Sequence, residues 1–320
     1  MISKKLIEQI AQRTGFKINP IEKVLLLRAI LLSLAEHEEL TDKWVLKGGT
    51  ALNLFYLNLP RLSVDIDLNF IGVDEVSQLP KARERFERIL ISICEREKCT
   101  VKRVPDSHAG GKFRLRYSSL FGGSQNLEVD VNYLMRIPLL GTERAESNFP
   151  PRDLQETGLA VPTLKFKELA AGKFAALLDR FAARDVFDTI NILSHSPDIL
   201  DQPDFKAAFV CYVASAHIDI RTRDKAQYVL ESEEVKNRLL PLLSERGAGS
   251  SEHFISLSSE IVKPAIERLL TFTAAERAFL SALIDEYEIK PELLTEDVDL
   301  KSRILKYPPL LWRQKQLKKL

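Results

Sequence analysis

The segment Val64-Asp65-Ile66-Asp67-Leu68-Asn69-Phe70 alternates apolar and polar residues without a break. A period of two permits a strand with one buried face and one wet face. Val64, Ile66, Leu68 and Phe70 take the buried side and leave Asp65, Asp67 and Asn69 in file on the other. Side chains two apart on a strand start about 6.5–7 Å apart at Cα, so the two carboxylates project together. Such a hard-oxygen pair suits Mg²⁺, or Mn²⁺ in its place, an ion that binds through one or two carboxylates plus substrate phosphates. The same spacing also describes an ordinary solvated strand face, and alternation alone does not choose. Glu128-Val129-Asp130, within a second strand expected over 126–134, offers Asp130 as a third carboxylate. Three acids can hold two ions about 3.5–4 Å apart, one lowering the pKa of an attacking hydroxyl and the other stabilising the leaving oxygen.

Upstream lies a short apolar run, Trp44 to Leu46, then Lys47-Gly48-Gly49-Thr50, then an amphipathic stretch that stops at Pro60. The pattern predicts strand, glycine turn and helix, with backbone amides and the helix dipole available to phosphate. A glycine pair is often only a turn, and the Gly-Lys-Ser/Thr of a Walker loop is absent. Further helices are expected over 21–39 and 75–98, and strands over 99–106 and 112–120. Turns are expected at His108-Ala109-Gly110-Gly111 and Phe121-Gly122-Gly123-Ser124. From about residue 165 helical periodicity takes over and runs to about residue 287. The proline-rich, polar stretch Ile137 to Pro162 separates the halves, so residues 1–150 are expected to form one domain and 151–320 a mainly helical second one. The basic RQKQLKKL after Tyr307-Pro308-Pro309 is expected to be loosely ordered.

Composition narrows the classes further. With 45% hydrophobic residues, 28% charged and a formal charge of +1, the chain can bury a core, and any nucleic-acid contact must come from local patches. Three cysteines, Cys94, Cys99 and Cys211, form no CxxC pair, which suits a reducing cytoplasm. No apolar run reaches the roughly 18 residues of a membrane span. His37, His108, His195, His217 and His253 have neither metal-ligand spacing nor a Ser or Cys partner, so no hydrolase triad is expected.

A glycine pair, a short helix and a D-h-D strand together resemble the DNA polymerase β-like nucleotidyltransferase superfamily. More narrowly, LKGGTALNLFYLNLPRLSVDIDLNF and AGKFAALLDRFAARDVFD resemble the AbiEii/AbiGii toxin family, which includes the MenT toxins. The resemblance rests on Lys47-Gly48-Gly49-Thr50, on Arg61-x-Ser63-x-Asp65-x-Asp67 and on a later helical block. In that block the family's lysine falls on Lys173, its arginine on Arg180, and its Arg-Asp-x-x-Asp on Arg184, Asp185 and Asp188. It covers roughly residues 40 to 195. It implies an α+β fold: a nucleotidyltransferase-type mixed sheet with flanking helices, plus a helical C-terminal domain that contributes to the nucleotide site.

The implied activity is a metal-dependent nucleotidyltransferase toxin of a type IV toxin–antitoxin or abortive-infection system, adding nucleotides to the 3′ end of tRNA and opposed by a cognate antitoxin. Asp65, Asp67 and Asp130 would hold Mg²⁺; Lys47, Gly48, Gly49, Thr50, Arg61 and Ser63 would bind the NTP. Lys173, with Arg180 and Arg184, would neutralise phosphate charge, while Asp185 and Asp188 orient those cations or meet the nucleotide's polar edge. Spacing places Lys173, Arg180, Arg184 and Asp188 on one face if the helix is continuous; a plain charged helix surface fits that spacing too. Arg96, Lys98, Lys102, Arg103, Lys112, Arg114 and Arg116 outnumber the nearby Glu97 and Asp106, a local patch that would attract a phosphate backbone. Two other readings stay open: a nucleotidyltransferase with a small-molecule acceptor, and a noncatalytic nucleotide- or RNA-binding module.

Overall fold

A computed structural model describes residues 2–58, 60–73, 75–104, 110–154, 158–217, 219–222, 228–245 and 249–319. The chain divides into two compact units. One comprises Met1–Arg136, Thr142–Leu164 and Pro241–Ala248; the other comprises Ile137–Gly141, Lys165–Leu240 and Gly249–Leu320.

The first unit is built on a seven-stranded mixed sheet of β1 (Trp44–Lys47), β2 (Asp65–Phe70), β3 (Thr100–Val104), β4 (Gly110–Ser118), β5 (Ser124–Asn132), β6 (Thr142–Glu146) and β7 (Ala160–Leu164). The order is β3-β4-β5-β2-β1-β7-β6. β2 runs antiparallel to β1 and parallel to β5, and β1 runs parallel to β7. Alternation decides which face is covered: Ile66, Leu68 and Phe70 of β2, Val129 and Val131 of β5, and Phe113 and Leu115 of β4 are all fully buried. Each such side chain contributes about 1.5–3 kcal/mol by leaving water. The unit's helices are α1 (Lys4–Thr14), α2 (Ile18–Ala35), α3 (Gly48–Ala51) and α4 (Leu79–Arg96). Buried residues at i, i+3, i+4 and i+7 of α4, from Phe86 to Ile93, form its inner stripe. The Phe86 ring meets Phe70 edge-on, centroids 5.2 Å apart.

Two strands were not expected. The stretch from 137 to 162 contains β6 and most of β7, which lie on the β1 side of the sheet. TERAE has no apolar residue to alternate except Ala145, and AVPTL carries Pro162, so neither shows a period of two. The expected strand over 99–106 ends, as described, at Val104; Asp106, His108 and the first half of the His108-Gly111 turn lie outside the described residues.

The second unit is helical, with α5 (Phe166–Arg180), α6 (Ala183–His195), α7 (Pro203–Ala214), α8 (Ser232–Glu234), α9 (Ser251–Leu257), α10 (Lys263–Leu269), α11 (Ala274–Asp285), α12 (Val298–Lys306) and α13 (Pro308–Leu317). The helical character of the C-terminal part was legible, but the basic tail is ordered rather than loose. Pro308 and Pro309 occupy the first turn of α13, where a missing amide costs nothing, and Leu310, Arg313 and Leu317 bury its inner face.

Glu168 of α5 is 1% exposed, yet its carboxylate accepts hydrogen bonds from the Leu139 amide (3.0 Å), the Leu140 amide (2.7 Å) and the Tyr212 hydroxyl (3.3 Å). Burial pushes its pKa up to about 7, against the opposing pull of the two amides, Tyr212 and Arg303. An acid with a raised pKa binds its proton more tightly when folded. Its stabilising contribution is therefore full below about pH 4, the unfolded value, and is lost as pH rises through about 7. Urea denaturation of wild type and Glu168→Gln at pH 5 and pH 8 should show wild type losing more stability across that interval, by on the order of 3 kcal/mol. Equal losses would remove Glu168 from the pH response.

Candidate active site

The parallel pairing of β2 with β5 sets Asp65 opposite Glu128 and Asp67 opposite Asp130. Antiparallel partners extend both rows. Lys47 lies opposite Asp67, Lys112 opposite Asp130, Arg114 opposite Glu128, and Lys102 opposite Arg114. Opposed residues share a face of the sheet. One row therefore runs Lys47, Asp67, Asp130, Lys112, and the next runs Asp65, Glu128, Arg114, Lys102, on strands about 4.8 Å apart. All four acids are half-buried. Glu128 is engaged by two cations of β4, with Lys112 Nζ 3.4 Å from its Oε2 and Arg114 Nε 3.3 Å from its Oε1. Asp65, Asp67 and Asp130 are the trio picked out by sequence. Asn69, next in file beyond Asp67, is 1% exposed and its Oδ1 meets no hydrogen-bond donor among the described residues.

The glycine pair is not a separate turn: α3 begins at Gly48, directly after β1, and passes into a π-helical turn over Leu52–Tyr56 that stops short of Pro60. Gly48 has φ +72°, and a β-carbon there would overlap the Asp67 carboxylate. At Gly49 a β-carbon would meet Arg61 Nη2 at 2.8 Å and Ser63 Oγ at 3.1 Å. The Thr50 hydroxyl bonds to the carbonyl of Asp65 and lies 3.0 Å from Ser63 Oγ. Asn53 Nδ2 donates to the Gly49 carbonyl at 3.0 Å. Thr50, Arg61 and Ser63 are 0%, 2% and 6% exposed, so they tie the glycine segment to the start of β2 from beneath. Lys47 and Gly48 are half-buried. Asn53 escaped sequence reading; its place one turn after Gly49 was the available signal.

In the second unit the expected continuous stripe is interrupted. α5 ends at Arg180, Phe181 adopts φ +47°, and α6 restarts at Ala183. A left-handed aromatic residue costs about 1–2 kcal/mol, offset here by burying the ring against Tyr228, centroids 5.2 Å apart. No glycine or proline marks the break, so sequence pattern could not show it. The fold-back replaces the stripe with an ion cluster. Lys173 Nζ lies 3.2 Å from Asp185 Oδ1 and 2.8 Å from Asp188 Oδ2, while Arg180 Nε lies 2.6 Å from Asp185 Oδ2. The Asp185 and Asp188 side chains are 1% and 0% exposed, Lys173 is 11% and Arg180 is 61%. Burial alone would raise the Asp185 pKa, but Lys173 and Arg180 more than offset it and hold the carboxylate below its ordinary value. Asp185 and Asp188 both pair with Lys173, and Asp185 also pairs with Arg180. Arg184 is half-buried.

The basic patch is partly neutralised by partners distant in sequence. Arg103 Nε lies 2.8 Å from Glu87 Oε2, and Lys112 and Arg114 share Glu128. Phe113 and Tyr117 face the core. The three cysteines are free and buried, and burial pushes the Cys94 and Cys99 thiols up to about 12 and 11, which removes them as nucleophiles. Among the described residues no helix is long and apolar enough to cross a membrane.

Two stability outcomes follow from these contacts. Lys173→Met would leave two buried carboxylates facing no ammonium and should cost about 3–5 kcal/mol. Gly48→Ala, which strains the backbone and displaces Asp67, should cost about 1–3 kcal/mol. Urea titration checks both, and a Lys173→Met protein as stable as wild type would contradict the cluster.

A search of curated proteins found no match. Among solved structures, the chain is similar to MenT4, a nucleotidyltransferase toxin from Mycobacterium tuberculosis H37Rv, at 19% identity, with a TM-score of 0.62 over 96% of this chain and 99% of that one. It is also similar to JHP933 from Helicobacter pylori, at 18% identity, with a TM-score of 0.41 over 95% of each chain. The first likeness shows the fold. The family model described as nucleotidyl transferase AbiEii toxin, type IV TA system, matches residues 29–271. The chain belongs to the AbiEii family of nucleotidyltransferase toxins.

Proposed function

We propose that this nucleotidyltransferase depends on Mg²⁺ and transfers a nucleoside monophosphate from an NTP to the 3′ end of tRNA, and that a cognate antitoxin opposes it. The observation that carries the reading is the β2–β5 register, which sets Asp65, Asp67 and Asp130 on one half-buried face beside Gly48. The donor set is all carboxylate oxygen, which fits Mg²⁺. Among the described residues no three acids, histidines or cysteines stand close enough together to enclose an ion. Mg²⁺ needs only one or two carboxylates and keeps several waters, so the residues present fit it. One or two of Asp65, Asp67 and Asp130 would hold the ion, which when bound would supply charge neutralisation at the phosphates.

The chain's own groups account for the rest. The backbone at Gly48 approaches closely because no β-carbon intervenes, and Lys47 offers a cation in the same row as Asp67. The acceptor hydroxyl oxygen bonds to the α-phosphorus, the bond from that phosphorus to the β-bridging oxygen breaks, and pyrophosphate leaves. The hydroxyl proton passes to the carboxylate face. Support for an RNA acceptor comes from exposed Lys102, Arg114 and Arg116 on the same face of the sheet. In the second unit, Lys173, Arg180 and Arg184 are the proposed phosphate-neutralising cations.

The test is a transfer assay with purified protein, Mg²⁺, each labelled NTP in turn and total tRNA. Asp65→Asn and Asp67→Asn should each lower label on tRNA by at least 10³-fold while melting within a few degrees of wild type. Label unaffected by EDTA would refute metal dependence. Label on a small molecule and never on tRNA would refute the acceptor.

A further inference from the structure

Four lysines cluster near the C-terminus of the sequence. Lys301 is paired with Glu296 at 2.7 Å, Lys290 with Glu286 at 2.6 Å, and Arg221 with Asp219 and Asp285. Lys306, Lys315, Lys318 and Lys319 are exposed, and none of them meets a carboxylate among the described residues. α13 holds no acid at all. Its buried residues Leu310, Arg313 and Leu317 fix the outer face, on which Trp312 and Lys315 fall at i and i+3, while Lys318 caps the helix and Lys319 follows it. Trp312 is 36% exposed, an unusual position for a large indole. It is held edge-on by His217, centroids 5.1 Å apart at 87°.

We propose that the outer face of α13 docks a single-stranded segment of nucleic acid, with Lys315, Lys318 and Lys319 meeting phosphates and Trp312 stacking on a base. The proposal rests on the RNA-acceptor reading above, which makes that nucleic acid RNA. Two features favour it over an acidic protein. A line of cations without a single acid complements a uniform polyanion, whereas protein partners present mixed charge. An oriented, partly exposed indole among those cations matches the planar base that accompanies each phosphate. The lysines contribute affinity without sequence preference, through release of counterions.

The experiment measures binding of fluorescein-labelled tRNA by anisotropy, over a salt series, with neither NTP nor Mg²⁺ present, so the result does not depend on transfer. Lys315→Gln/Lys318→Gln/Lys319→Gln should weaken binding at least tenfold at low salt and reduce the slope of log K against log salt by about 2–3. Trp312→Ala should weaken binding about fivefold or more and leave the slope unchanged. All four residues are exposed, and circular dichroism should report wild-type folding. Wild-type affinity and slope in the triple variant would overturn the proposal. So would competition by polyglutamate as effective as by unlabelled tRNA, which would point to an acidic protein partner. If the variants lose tRNA binding while wild type transfers nothing to tRNA, docking stands and the acceptor reading falls. If the triple variant labels limiting tRNA at the wild-type rate, the acceptor reading stands and docking falls.

Discussion

The parallel, in-register pairing of β2 with β5 is the constraint on which the first unit depends. A slip of one residue would turn Ile66, Leu68 and Phe70 to water and drive Asp65 and Asp67 into the layer occupied by α4. Burying an unpaired carboxylate costs several kcal/mol after relaxation, so the alternation on the two strands admits one register. That register has its own cost, because like charges opposed across strands repel. The flanking strands answer it. Lys47 on β1 and Lys112 with Arg114 on β4 bracket the four acids, giving a sheet that runs cation, acid, acid, cation.

The two units handle charge differently. In the first, the acids lie half-buried on an open sheet face and Glu128 takes two cations. In the second, Asp185 and Asp188 are sealed and hold Lys173 between them. A half-buried carboxylate can turn toward an ion, because water can still solvate it while it moves. A sealed pair cannot, because each oxygen that leaves its cation is left uncompensated in a medium that penalises it. The first arrangement suits ligand exchange and the second suits a fixed cation.

Much of the first unit was legible because its signals are local. Strict alternation gave β2 and its wet face, a second D-containing alternation gave β5, and the helix over 75–98 was expected, though its inner stripe was not read. The cross-strand row was not legible, since which lysine faces Asp130 depends on strand order and register, and neither is written in any one segment. β6 and β7 were hidden for a different reason: short edge-side strands with polar or proline-containing sequence owe their conformation to pairing with a neighbour. The α5–α6 break was hidden because Phe181 carries no helix-ending signal, and its left-handed backbone is stabilised by burial against Tyr228, a residue far along the chain. The basic tail, expected to be loose, is ordered because Pro308-Pro309 starts a helix, α13.

The glycine segment and the acidic strand, which look like separate motifs in sequence, form one steric unit. Lys47 pairs with Asp67 across β1 and β2, so the next residue, Gly48, must turn into α3 directly against the Asp67 side chain. Only hydrogen fits there, and only glycine adopts φ +72° without strain. Gly49 faces the same limit from the other side, where Arg61 and Ser63 fill the space a β-carbon would need. Thr50 then fastens the turn to the carbonyl of Asp65. Each glycine is required by a residue near or within β2, and the start of β2 is positioned by the residue that follows them. A Gly-Gly pair alone predicts little and an Asp-x-Asp strand alone predicts little, but the spacing between them is set by this contact, which is why the two together were informative when neither was separately.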